Sequence, residues 1–142
     1  MEPDPANNID AMYREELLEY YNHPTNRGAI EDAQIKFSDQ NPLCGDKVEL
    51  FAKLGIDGKK IVQVKFQGSG CVISMASASM ISEYVEGKLM DDIRKMTRED
   101  MLSLLGLELT PSRVKCAMLA LTALKKGIVE YESKKINTTE MP

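Results

Sequence analysis

The chain has 142 residues, 43% apolar and 28% charged, which suits one ordinary globular domain with a real core. A formal charge of −4 argues against drawing in nucleic acid, and no run of about 18 apolar residues offers a membrane span. Three cysteines, an odd number outside CxxC pairs, do not read as a disulfide framework and point to a reducing, cytoplasmic compartment.

Residues 1–8 are acidic, without the apolar core or arginines of a targeting segment, and read as a disordered lead. A single domain is expected over 9–134 and a polar, fraying tail over 135–142. Ile9, Met12, Tyr13, Leu17, Tyr20 and Tyr21 recur near the helical period, and the Asn22–Gly28 segment breaks that helix with proline and glycine. His23, the one histidine, lies in this turn and reads as solvated or capping, not metal-binding.

Ala33, Ile35 and Phe37 alternate with polar residues, as do Val48, Leu50, Ala52 and Leu54, and then Val62, Val64 and Phe66. Gly55-Ile56-Asp57-Gly58 marks a hairpin between the last two runs. The expectation is a three-stranded antiparallel sheet with one buried face.

From Val72 the period becomes helical, with Met75, Ala76, Ser79, Met80 and Val85 on a buried face and Glu86-Gly87-Lys88 as the stop. Thr97 reads as the cap of a short helix that Gly106 ends. Thr110-Pro111 opens a last helix whose core stripe is Val114, Ala117, Met118, Leu121, Leu124 and Ile128. The fold class is therefore α+β, with helices packed on one face of the sheet.

The chemistry concentrates at three element ends. Cys71 follows Gly68-Ser69-Gly70 at a strand-to-helix junction, where unpaired N–H groups and the helix dipole favour the thiolate. Cys44 and Asp46 flank Gly45 in a turn before the second strand, and Cys116 lies in the first turns of the last helix. Each cysteine alone reads more readily as packing. Together with Asp46 they offer a Cys₃Asp set suited to tetrahedral zinc or to cluster irons. A structural zinc site would use closely paired ligands, and these are spread from 44 to 116.

These residues resemble the IscU/SufU family, the scaffold proteins of iron–sulfur cluster assembly that also form the N-terminal module of NifU. The matching motifs are Tyr20-Tyr21-Asn22-His23-Pro24-Thr25-Asn26-Arg27-Gly28, Asn41-Pro42-Leu43-Cys44-Gly45-Asp46, Gly68-Ser69-Gly70-Cys71-Val72-Ile73-Ser74 with Ser77-Ala78-Ser79, and Val114-Lys115-Cys116-Ala117-Met118-Leu119-Ala120. The resemblance implies that the three cysteines and the aspartate meet at one exposed end of an α+β fold, and that Cys44, Asp46, Cys71 and Cys116 match the cluster-ligand positions.

It further implies a scaffold that is not an enzyme. Such a scaffold takes sulfur from a cysteine desulfurase, holds a labile [2Fe-2S] cluster, and passes it to apo iron–sulfur proteins or a carrier. A cluster-bridged homodimer is compatible with an exposed site. Cys116 is the expected sulfur acceptor. The alternative is a SufU-like zinc-dependent sulfurtransferase that relays persulfide from the desulfurase with zinc on the same four residues.

Where the IscU branch carries a histidine before its third cysteine, this chain has Lys115. A protonated lysine has no lone pair, so it is not a ligand of the resting site. Its expected roles are to pair with Asp46, to steady the charge of a bound cluster, or to stay solvated. The lysine is SufU-like, whereas the short step from Cys71 to Cys116 lacks the SufU insertion and is IscU-like. The family's chaperone-docking motif Leu-Pro-Pro-Val-Lys is altered here to Leu109-Thr110-Pro111-Ser112-Arg113-Val114-Lys115, which leaves chaperone-assisted release open.

Overall fold

The computed structural model describes residues 5–42, 45–106 and 108–140, with side chains described between residues 14 and 134 of these. Helix α1 (Pro5–Asn22) leads into strands β1 (Ile35–Gln40), β2 (Lys47–Leu54) and β3 (Ile61–Ser69). Helices α2 (Val72–Val85), α3 (Met90–Arg94), α4 (Arg98–Leu105) and α5 (Pro111–Glu140) complete the chain.

The alternation in the strands produces the expected sheet, in the order β1-β2-β3 and antiparallel throughout. Val48, Leu50, Ala52 and Leu54 of β2 are buried on the helix side, with Ile35, Val64 and Phe66 from the neighbouring strands. In the β2–β3 turn the Asp57 carboxylate accepts from the N–H groups of Lys59 and Lys60, which holds it below its ordinary range. The outer edge of β3 is covered by the segment after α1. Phe66 N–H donates to Asn26 O at 3.0 Å and Gly28 N–H donates to Phe66 O at 2.8 Å.

Helices α2 and α5 pack on each other and on the sheet, and α1 packs on α2. Sequence periodicity gives α2 a single buried face, yet Ile73 through Ser82 are all buried, because α1, α4, α5 and β3 surround the helix. Small side chains make this close packing feasible. Its serines go in with the apolar residues, and among the described residues Ser77 Oγ and Ser79 Oγ have no hydrogen-bond partner.

Glu83 ties α1 to α2. It accepts from Thr25 Oγ1 at 3.2 Å, and burial together with the charge of Glu83 raises the Tyr20 phenol above its ordinary value.

Several features differ from expectation, the start of β1 at Ile35 and not at Ala33 among them. The lead taken as disordered over 1–8 is helical from Pro5, since proline at a first helical position lacks only an N–H that would be unpaired there. The tail expected to fray after residue 134 stays helical to Glu140. A one-turn helix, α3, stands where none was expected; it buries Met90 and Ile93. The short helix α4 has its Thr97 cap, with Asp100 N–H donating to Thr97 Oγ1 and Thr97 N–H to Asp100 Oδ2.

Candidate metal centre

The register of the sheet starts the site. Lys47 is paired with Ser69, so the residues just beyond that pair, Asp46 on one strand and Gly70 on the other, are left side by side. The turn carrying Asp46 is closed by two backbone hydrogen bonds. Asn41 N–H donates to Asp46 O, and Gly45 N–H donates to Asn41 O, both at 2.8 Å. Gly45 sits at φ +74, the conformation that a bend here requires.

Asp46 is only 4% exposed, an unusual position for a carboxylate. Its Oδ1 accepts from Cys71 N–H at 3.2 Å, which fastens the β1–β2 turn to the start of α2.

Cys71 is the N-cap of α2, in extended conformation, and its Sγ accepts from Ser74 N–H at 3.4 Å. Sulfur thus occupies the place where a serine or aspartate oxygen usually satisfies an end-of-helix donor. Cys71 remains half-buried. Cys116 comes from the second turn of α5, is 6% exposed, and directs its Sγ toward Ser112 O at 3.7 Å.

A carboxylate oxygen of Asp46 and the sulfurs of Cys71 and Cys116 lie within 4.8 Å of one another. Donors around a tetrahedral zinc at about 2.0–2.3 Å stand about 3.5–3.8 Å apart, so closing on an ion asks for movements of about 1 Å at most. Two sulfurs and one carboxylate suit zinc or iron and would be a poor set for calcium or magnesium.

Space for this set is kept by Gly70. A Cβ built there would lie 2.8 Å from the Asp46 carboxylate and 2.5 Å from Ser74 Oγ. Because the glycine does not have a positive φ, room is what it supplies.

The thiols open onto a pocket of about 460 Å³ walled also by Asn41, Arg113 and Lys115. Lys115 is exposed on the first turns of α5, beside Cys116 in the pocket wall. His23 is exposed just after α1. Cys44, the remaining expected ligand, lies outside the described residues.

Two participants, Ser74 and Asn41, stood in the quoted motifs without a role of their own. Ser74 was visible in principle, since the Cys71-x-x-Ser74 spacing is that of a cap and its N3 donor. Asn41, which closes the Asp46 turn, gave no such signal.

The sequence matches the family described as NifU-like N terminal domain over residues 12–138. It is 36% identical to the zinc-dependent sulfurtransferase SufU of Bacillus subtilis, with 88% of this chain and 95% of that protein aligned. It is 31% identical to the iron-sulfur cluster assembly scaffold protein IscU of Escherichia coli, over 87% of this chain and 96% of that one. In fold it resembles the crystal structure of the N-terminal part of a NifU-like protein from Brucella abortus. That match has a TM-score of 0.71 at 20% identity and covers 89% of this chain and 98% of that one.

Proposed function

Because the chain belongs to the family of NifU-like N-terminal domains, we propose that it is a scaffold for iron–sulfur cluster assembly, with Cys44, Asp46, Cys71 and Cys116 as the cluster-holding group. The observation that carries this reading is the convergence of Asp46, Cys71 and Cys116, from three separate element ends, within 4.8 Å.

Sulfur arrives as the outer atom of a persulfide on a cysteine desulfurase. The Cys116 thiolate attacks that atom, a new S–S bond forms on Cys116, and the donor's S–S bond breaks with its electron pair leaving on the desulfurase thiolate. Conversion of the transferred sulfur to sulfide takes two further electrons from an external reductant. Cys116 is reached through the pocket, where Arg113 and Lys115 favour an anionic visitor.

The cargo is a [2Fe-2S] cluster, held for transfer to apo-proteins or a carrier, with a cluster-bridged homodimer as one way to complete it. Asp46 supplies one hard oxygen among sulfurs and makes the grip easier to release. The compartment is the cytoplasm.

A second reading, a zinc-dependent sulfurtransferase, is favoured by the single-ion size of the donor group and by Lys115 in place of a ligand histidine. Zinc bound there would keep the thiolates deprotonated and in place.

The deciding experiment is metal and acid-labile sulfide content, with a visible spectrum, on protein purified without oxygen. Equal iron and sulfide with a brown charge-transfer spectrum is expected. One tightly held zinc per chain, colourless and unreplaced when iron and sulfide are offered, would overturn the scaffold reading in favour of sulfur relay.

A further inference from the structure

Among the described residues, Cys116 and Cys71 of the site make different sulfur contacts. Cys116 Sγ faces a carbonyl, Ser112 O, which can only accept. Cys71 Sγ instead faces both polar groups of Ser74. The Ser74 N–H donates to it at 3.4 Å, and the Ser74 hydroxyl oxygen lies 3.7 Å away.

In this structure the hydroxyl spends its proton on Cys71 O, at 3.1 Å, and the Cys71 thiol points its own hydrogen at Ser74 Oγ. That arrangement holds only while the sulfur carries a proton. A metal-bound cysteine sulfur carries none, and two electron-rich atoms would then face each other in a site where Ser74 is 1% exposed. Almost no water reaches Ser74 to relieve the conflict.

The remedy is within reach. Turning the Ser74 hydroxyl from Cys71 O to Cys71 Sγ converts the clash into a charge-assisted hydrogen bond. The abandoned carbonyl keeps a partner, because Met75 N–H already donates to Cys71 O at 3.1 Å. Rotation about one bond therefore gives the sulfur a second donor at little cost.

The geometry points to Ser74 as a positioning residue for bound metal. Its hydroxyl and N–H together hydrogen-bond the metal-bound Cys71 sulfur, draw electron density from it, and weaken its hold on the metal. Hydrogen bonds to ligating sulfur are an established lever on metal–thiolate sites. This inference rests on the reading that the site holds metal through cysteine, and it adds a residue that tunes one of those sulfurs.

The test uses the full chain loaded with cobalt(II) alone, whose thiolate charge-transfer band reports the electron richness of the ligating sulfurs. Ser74→Ala removes one small hydroxyl, and thermal unfolding of the metal-free protein checks that the variant folds. The expected result is a shift of the band to longer wavelength, with extraction of cobalt by a chelator slowed by about fivefold, the worth of one net hydrogen bond. In a Cys71→Ser background the same substitution should leave the band where it is.

An unchanged band in Ser74→Ala overturns the inference. So does a shift that persists without the Cys71 sulfur, since the hydroxyl would then act elsewhere. If the parent protein binds cobalt with no thiolate band at all, the metal-site reading itself has failed and takes this inference with it.

Discussion

Gly70→Ala is the most direct probe of how the site is built. The added methyl would stand 2.8 Å from both Cγ and Oδ1 of Asp46 and 2.5 Å from Ser74 Oγ. Ordinary contact begins near 3.4 Å, so the carboxylate must retreat by about 0.6 Å and the hydroxyl by more. Neither has open space, since both residues are buried and Asp46 Oδ1 is already engaged by Cys71 N–H. Overpacking of this kind costs about 1–3 kcal/mol. If the Cys71 N–H bond to the carboxylate breaks as well, about 1.5–3 kcal/mol more is at stake.

Metal affinity should therefore fall by about tenfold or more, at 1.4 kcal/mol per decade. Zinc competition against a chromophoric chelator measures that fall, and urea unfolding of the metal-free protein measures the strain. Gly87→Ala is the control. Gly87 sits at φ +88 with open space around its Cβ position, so substitution there strains the backbone and should spare metal binding. Parental zinc affinity and an unmoved urea midpoint in Gly70→Ala would refute the claim that this glycine makes room for Asp46.

Other perturbations separate the remaining roles. Asp46→Ala should give a longer-lived cluster that transfers more slowly to an apo-acceptor; an unchanged transfer rate removes the release role. Cys116→Ser should abolish persulfide uptake from a desulfurase, read by mass shift, and undiminished labelling would move the acceptor to Cys44 or Cys71. Tyr20 bears on stability alone. Its phenol is raised above 10.0 by burial and by Glu83, so the folded state favours the neutral form. The stability it contributes is present below pH 10 and lost as pH rises through the raised value. Tyr20→Phe should lower the free energy of urea unfolding at neutral pH by the worth of one hydrogen bond, about 0.5–1.5 kcal/mol, and flatten the alkaline decline. An identical decline in both proteins would show that Tyr20 is not its source.

What the sequence could and could not disclose follows from how far each signal reaches. Period-2 alternation found all three strands but put Val62 on the buried face, whereas the register shift at Lys53/Leu54 buries Ile61 and leaves Val62 exposed. Strand β2 also buries Phe51 on its other face. The caps and stops of α2 and α4 were equally local, lying in Cys71, Thr97 and Gly106 themselves. Helix α3 was missed because five residues with Met90 and Ile93 buried do not make a period. Ser77 and Ser82 hid the full burial of α2, since a pattern of apolar residues counts serine as surface. Helical propensity beyond Lys134 was outvoted by polarity, a poor guide to a helix that continues past the core.

The site was legible for a deeper reason in part. A one-residue slip between β2 and β3 would turn Val48, Leu50, Ala52 and Leu54 outward. At about 1.5–3 kcal/mol for each larger side chain, that loss exceeds what any local contact at the site could return. The alternation that fixes the core therefore also fixes Lys47 opposite Ser69, and with it Asp46 beside Gly70 and Cys71. Two of the donors are consequences of the hydrophobic pattern.

Cys116 is not, because its position depends on the rotation of α5 about its own axis. That rotation is set by the stripe of Ala117, Ala120, Leu121, Leu124 and Ile128 against α2 and the sheet, which puts Cys116 on the buried side and leaves Lys115 outside. The core thus holds the cysteine, while its neighbour, free of packing duties, is the position at which the electrostatics of the pocket can be changed without disturbing the fold.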